Sequence, residues 1–159
     1  MTSHVTRAGE LFCSGCNCAQ AVFCAYEDLT GYSHEDAMRI SSSFGGGLGR
    51  MREVCGAVSG ALMVLGMLGY DEKAATAMLR KVREGHGALD CATLLRTSHE
   101  AGIPRKQHCD GIVFELLQIV DETAGFDEED NQEWLRLCKY YEVYGGTEQL
   151  EDPIKGLAT

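Results

Sequence analysis

The apolar residues of this chain recur at three- and four-residue steps along most of its length, and no segment alternates convincingly between apolar and polar positions. Such spacing places apolar side chains on one face of an α-helix, whereas a half-buried strand needs a period of two. Only two prolines occur in the 159 residues, and that length suffices for one buried core. We therefore predict an all-α fold, a single compact bundle-like domain of about five to seven helices.

Glycine-rich breaks divide the predicted helices. The first helix is expected over about residues 5–29, and the second begins at the capping sequence Ser33-His34-Glu35-Asp36. The third is expected over about residues 51–68, with Met51, Val54, Cys55, Val58, Leu62 and Leu65 directed inwards. Later helices are expected from Asp71 to the Gly85-His86-Gly87 break, over about residues 88–97, and over about residues 106–124.

Two regions differ in composition. We assign residues 1–125 to a four-cysteine helical domain, and residues 126–159 to an acidic C-terminal helix and tail that packs on that domain or extends from it. Within the first region, Gly56 and Gly60 stand four residues apart on one face of the third helix. A neighbouring helix, or a second copy of the chain in a homodimer, is expected to approach closely there.

The charge balance excludes two classes of partner. The chain has 14 Lys and Arg against 24 Asp and Glu, a net charge of −10. Binding to nucleic acid needs clustered basic residues, and so does binding to an anionic membrane surface. Residues 54–70 are uncharged but too short and too rich in Gly and Ser for a membrane span. With no signal-peptide pattern at the N-terminus, we expect a cytoplasmic protein whose thiols are reduced.

The eight cysteines are the residues most indicative of chemistry. Cys18, Cys55, Cys91 and Cys109 each stand alone on a different predicted helix, and the last three fall near helix N-terminal turns, which favour a thiolate. Periodicity directs all four inwards but does not say whether they meet at one site. Buried cysteine is also a common small apolar residue in helical cores.

The loop before the third helix is a candidate anion site. Backbone N–H groups of Gly45, Gly46, Gly47 and Gly49, with the charge of Arg50, would suit a phosphate or carboxylate. No Gly-Lys-Ser/Thr follows and no strand precedes the loop, so no nucleotide motif is present. The alternative is a loop whose glycines only permit positive φ angles and tight packing.

Several segments resemble the C-GCAxxG-C-C family of redox-active proteins. The resemblance covers about residues 9–122, and its cysteines map onto Cys18, Cys55, Cys91 and Cys109. A related domain of split-Soret cytochromes carries an iron–sulfur centre as well as haem. The matching segments are Asn17-Cys18-Ala19-Gln20-Ala21-Val22, the loop Phe44 to Arg50 with Cys55-Gly56-Ala57-Val58-Ser59-Gly60-Ala61, Cys91 with Leu94-Leu95, and His108-Cys109.

Three functions remain open for these four thiols. The first is a site for a [2Fe–2S] cluster, active in electron transfer or redox sensing and requiring a redox partner. The second is metal-free thiol–disulfide chemistry, and the third is a binding or assembly module whose cysteines only pack. Zinc usually draws on paired C-x2-4-C ligands, which these isolated cysteines do not form.

The remaining cysteines lie outside the family pattern. Cys13-Ser14-Gly15-Cys16 is followed by Asn17 rather than histidine, so no covalent haem is expected. The extra cysteines are Cys13, Cys16, Cys24 and Cys138.

Overall fold

The computed structural model describes residues 3–126. Within this range the chain forms eight α-helices and no strand, which confirms the all-α prediction. None of the described helices is long and apolar enough to cross a membrane. The predicted C-terminal helix and Cys138 lie outside the described residues. The helices are α1 (His4–Cys13), α2 (Cys18–Cys24), α3 (Glu27–Thr30), α4 (His34–Ser41), α5 (Gly56–Met67), α6 (Glu72–His86), α7 (Cys91–Glu100) and α8 (Arg105–Ala124).

The core is built around α2 and α5. Gly60 of α5 lies against α2, because a β-carbon at Gly60 would stand 2.9 Å from the carbonyl oxygen of Ala19 and 3.1 Å from the Cβ of Val22. This confirms the close helix approach predicted from Gly56 and Gly60. Helix α8 packs across both helices and completes the core. Fully buried core residues include Val22, Val58, Val64, Val113, Leu116 and Leu117.

The first predicted helix is wrong as a single element, since residues 5–29 form three helices. Gly15 adopts a φ of +103°, which ends the first helical stretch. Asn17 then caps α2 by accepting a hydrogen bond from the Gln20 N–H at 2.8 Å, while the Gln20 side chain accepts one from the Asn17 N–H at 3.0 Å. The chain therefore restarts as a helix at Cys18, and the described helices outnumber the predicted ones.

The third predicted helix begins five residues later than expected. Arg50 and Arg52 each have a φ of +63°, a left-handed conformation that no α-helix contains. Met51 is 74% exposed and Val54 is 37% exposed, so neither lies in the core as predicted. Val54 instead forms an isolated antiparallel bridge with Asp90, which directly precedes α7.

Most of the other predicted helix ends are confirmed. Ser33 caps α4 by accepting a hydrogen bond from the Asp36 N–H at 3.1 Å, and Asp71 caps α6 by accepting from the Lys73 N–H at 3.0 Å. Helix α6 ends at Gly87, which has a φ of +79°. Helix α8 begins after Pro104, one residue before its predicted start.

Candidate functional site

All four family-pattern cysteines line one cavity of about 600 Å³. Cys55 is buried at 7% exposure, and the other three are half-buried. The cavity wall also carries basic and apolar side chains from four segments of the chain. These further lining residues include Cys16, Arg50, Arg52, Arg105 and His108, with Phe12, Leu94, Leu95 and Ile112.

The ends of four helices bring the cysteines together. Cys18 is the first residue of α2, Cys55 precedes the first residue of α5, and Cys91 is the first residue of α7. Cys109 lies in the second turn of α8. Helix N-termini carry partial positive charge and free N–H groups, so the positions of Cys55 and Cys91 on the longer helices favour negative charge at sulfur.

A short backbone pairing joins Cys55 to Cys91. Val54 and Asp90 form an isolated antiparallel bridge. The Cys55 N–H donates to the carbonyl of Leu89 at 2.9 Å, and the Cys91 N–H donates to that of Glu53 at 2.6 Å. Two helices that start from one bridge therefore present their first cysteines to the same cavity.

A glycine contact places Cys18 beside the start of α5. A β-carbon at Gly56 would stand 2.4 Å from the Cys18 Sγ and 2.8 Å from the carbonyl oxygen of Phe44. A β-carbon at Gly45 would stand 2.3 Å from the Cγ of Asn17, the residue that caps α2. Both glycines let the loop, α2 and α5 meet at the cavity with no side chain between them.

The surroundings of the cavity favour the protonated form of three of its thiols. Burial, and then the charge of Cys18, raise the pKa of Cys55 well above its ordinary value. The same two causes raise the pKa of Cys109 to about 12. Burial also raises the pKa of Cys91, although the charges of Arg52 and Arg105 act in the opposite direction. Negative charge on all four sulfurs therefore requires a compensating cation.

The four sulfurs do not form a tight tetrahedron. Among the described residues, no three of these Cys Sγ atoms lie within 4.8 Å of one another. A single zinc ion with four bonds of about 2.3 Å would need sulfurs about 3.8 Å apart. The described cysteines are all free thiols. The spacing of these sulfurs therefore does not match a single zinc ion held by all four of them.

The glycine loop reaches the cavity through three of its candidate residues. Gly45, Gly46 and Arg50 line the cavity. Gly47 and Gly49 are not among the described residues of the cavity wall. Every residue from 46 to 50 has a positive φ. The N–H groups of residues 48–53 donate to carbonyls, mostly within the loop itself. Of the predicted N–H donors, that of Gly49 is used in this way, since it donates to the carbonyl of Ser43 at 2.6 Å. The Arg50 side chain supplies charge at the cavity.

The sequence interpretation missed three lining residues. Cys16 lies outside the four-cysteine family pattern, and the same pattern includes neither Arg52 nor Arg105. Cys16 and Arg52 were detectable in principle, because each stands within three residues of a family-pattern cysteine. Arg105 was not, since its approach depends on how α8 packs. Their places in the wall follow from the tertiary fold.

A model of a known protein family matches most of the chain. The family model C_GCAxxG_C_C, described as "Putative redox-active protein", matches residues 16–123. These residues include the four cysteines, the glycine loop and most of the cavity wall. No curated protein and no solved structure matches the chain.

Proposed function

Because this chain belongs to the C_GCAxxG_C_C family of redox-active proteins, we propose that Cys18, Cys55, Cys91 and Cys109 jointly hold an iron–sulfur cluster. The protein would use it for electron transfer or redox sensing. The observation that carries this proposal is the meeting of four cysteines, each from a different helix, in one cavity.

Packing alone explains these cysteines poorly. Cys18, Cys91 and Cys109 are half-buried at a cavity wall rather than fully enclosed in the core. A cysteine that serves only as a small apolar residue gains most when its sulfur is fully enclosed. Four cysteines that line one cavity, three of them only half-buried, are better matched to a shared ligand.

The charges around the cavity match a four-thiolate centre. Four thiolates around an oxidised [2Fe–2S] core of about +2 leave a net charge of about −2. Arg50, Arg52 and Arg105 line the cavity and offset that remainder. When bound, such a cluster supplies one-electron redox chemistry. The contribution of the chain is to orient the thiolates, limit water and stabilise the negative charge that reduction adds.

Metal-free thiol–disulfide exchange is the second candidate, and the central place of Cys18 favours it. The charge of Cys18 contributes to the raised pKa of Cys55, Cys91 and Cys109, so its sulfur lies near all three. Exchange needs a thiolate nucleophile, however. The raised pKa values of Cys55, Cys91 and Cys109 mean that three of the four thiols supply little thiolate at neutral pH, which places this candidate below the cluster.

Iron and acid-labile sulfide analysis of protein purified without oxygen tests the proposal. The expected result is about two iron and two sulfide per chain, with visible absorption that Cys55→Ala and Cys91→Ala abolish. Cys13→Ala is the matched control, because Cys13 is exposed and outside the cavity wall. This variant should keep its colour.

Two results would count against the cluster. One is a colourless, iron-free chain even after reconstitution with iron and sulfide. The other is a chromophore that survives both cavity substitutions. In the first case, loss of free thiols in pairs under mild oxidation would establish the exchange candidate instead, with Cys18 in at least one pair.

A further inference from the structure

A second group of metal-binding side chains lies outside the cavity. The Cys24 Sγ, a carboxylate oxygen of Glu27 and a ring nitrogen of His34 all lie within 4.8 Å of one another. The three residues occupy the end of α2, the start of α3 and the start of α4. Two tight reversals of the chain within eleven residues bring them together, so the grouping is built from local structure.

We propose that Cys24, Glu27 and His34 form a binding site for a divalent transition-metal ion, best matched by zinc. Thiolate sulfur, carboxylate oxygen and imidazole nitrogen are the three ligand types that zinc accepts. Three protein ligands leave a fourth tetrahedral position for water or another small ligand. None of the three residues lines the four-cysteine cavity, so this inference is independent of the proposed function.

The surroundings of Glu27 orient its carboxylate for this role. One oxygen, Oε2, accepts a hydrogen bond from the Arg7 guanidinium at 2.8 Å. The other, Oε1, lies 2.5 Å from the Nδ1 of His34. Arg7 also donates to the Cys24 carbonyl at 3.4 Å, so one side chain contacts both Cys24 and Glu27. Outer contacts of this kind fix the orientation of ligating groups at metal sites.

Binding of a divalent ion at this group would replace the proton of the Cys24 thiol. Burial and the nearby Glu27 charge raise the pKa of Cys24 to about 12, although a hydrogen bond with Ser41 opposes them. With Cys24 as thiolate and Glu27 ionised, the group carries two negative charges against the one positive charge of Arg7. A divalent ion compensates this excess. The His34 side chain is 52% exposed, which gives an ion a path to a sulfur that is otherwise enclosed.

Zinc titration of the full, reduced, metal-free chain against a chromophoric chelator tests the site. We expect His34→Ala and Glu27→Gln each to bind one fewer zinc ion per chain with high affinity than the unmodified protein. His99→Ala is the matched control, because His99 is also exposed but belongs to no such group. Its stoichiometry should equal that of the unmodified protein, whatever the cavity cysteines bind.

Cobalt substitution identifies the sulfur ligand. The contribution of the cavity cysteines is measured in His34→Ala and subtracted. The remaining near-ultraviolet thiolate-to-cobalt absorption should be lost in Cys24→Ala and kept in His99→Ala. Circular dichroism checks that the buried substitution still folds, and the exposed His34 position tests the site if it does not. Equal zinc stoichiometry in the unmodified protein, Glu27→Gln and His34→Ala would overturn the proposal. So would equal losses in His34→Ala and His99→Ala.

Discussion

The backbone of Gly56 lies against the sulfur of Cys18, so close that a β-carbon at residue 56 would stand 2.4 Å from Sγ. Real β-carbons essentially never come so near another heavy atom. Gly56 follows Cys55 directly, and the contact therefore sets the position of one cavity cysteine relative to another. Two further atoms lie close to the same point, the carbonyl oxygen of Phe44 at 2.8 Å and the backbone nitrogen of Ala19 at 3.3 Å.

Gly56→Ala should disturb the cavity more than the rest of the fold. The added methyl group must displace the Cys18 side chain or move α5 from α2, and overpacking of this kind costs about 1–3 kcal/mol. We expect a lower free energy of unfolding in urea and a loss of at least half of the bound iron in anaerobically purified protein.

Gly66→Ala is the matched control in the same helix. A β-carbon at Gly66 meets no atom within 4 Å, and the residue is exposed. Alanine there should stabilise the chain by about 0.4–1 kcal/mol, because it has the higher helix propensity and restricts the unfolded state. Equal effects of the two substitutions on iron content would contradict the role given to the Gly56–Cys18 contact.

Local signals predicted most of the helices. In the structure, α4 begins after Ser33, α6 begins after Asp71 and α6 ends at Gly87. Each of these helix ends was predicted from a few adjacent residues. The break before Cys18 has an equally local signal, the pairing of Asn17 with Gln20. The apolar stripe continues through this break, however, so periodicity alone predicts one continuous helix.

The meeting of the cysteines could not be predicted in the same way. The pairing of Val54 with Asp90 joins residues far apart in the chain, and nothing in the spacing of either segment indicates it. The left-handed backbone at Arg50 and Arg52 is also unexpected, since such conformations are rare outside glycine. Their places on four predicted helices directed these cysteines inwards, but only the tertiary fold determines that all four line one cavity.

Arg105→Gln should slow alkylation of Cys91. The charge of Arg105 lowers the pKa of Cys91 and opposes the effect of burial. Without it a smaller fraction of this thiol is ionised at a given pH, and the thiolate is the form that reacts. We expect a decrease of less than about tenfold in the rate with iodoacetamide, because a partly exposed charge shifts a pKa by under one unit.

Peptide mass spectrometry of the metal-free, reduced protein follows this reaction site by site. Cys13 is the internal control, since burial raises its pKa but Arg105 is not among the charges acting on it. Its rate should not change. An unchanged rate at Cys91, or equal slowing at both cysteines, would show that Arg105 does not act on the cavity thiols.

Gly47→Ala should destabilise the glycine loop more than Gly49→Ala. Both positions have positive φ, 77° and 60°, so each substitution costs about 1–2 kcal/mol in backbone strain. Only at Gly47 would the new β-carbon also collide with backbone, at 2.6 Å from the nitrogen of Glu53. Urea unfolding should therefore show the larger loss for Gly47→Ala. A smaller loss there than for Gly49→Ala would mean that the loop relaxes freely.

The stability of the chain should also fall at mildly alkaline pH because of His4. Its Nε2 lies 3.0 Å from an oxygen of Asp28, and its Nδ1 lies 3.6 Å from an oxygen of Asp121. Both ring nitrogens face carboxylates, so the doubly protonated ring is favoured. Burial lowers the pKa of His4, but the hydrogen bonds and charges of Asp121 and Asp28 outweigh burial and raise it above 6.5.

A group whose pKa is higher in the folded state stabilises the fold through its protonated form. The contribution of His4 should be fully present below about pH 6.5 and lost as the pH rises through the higher folded value. Urea unfolding of the reduced protein at pH 6 and pH 8.5 measures this loss, and His4→Gln should reduce it. If the free energy of unfolding changes between the two pH values by the same amount in His4→Gln, other groups cause the change. The pair of carboxylates would then serve only to hold α1 against α3 and α8.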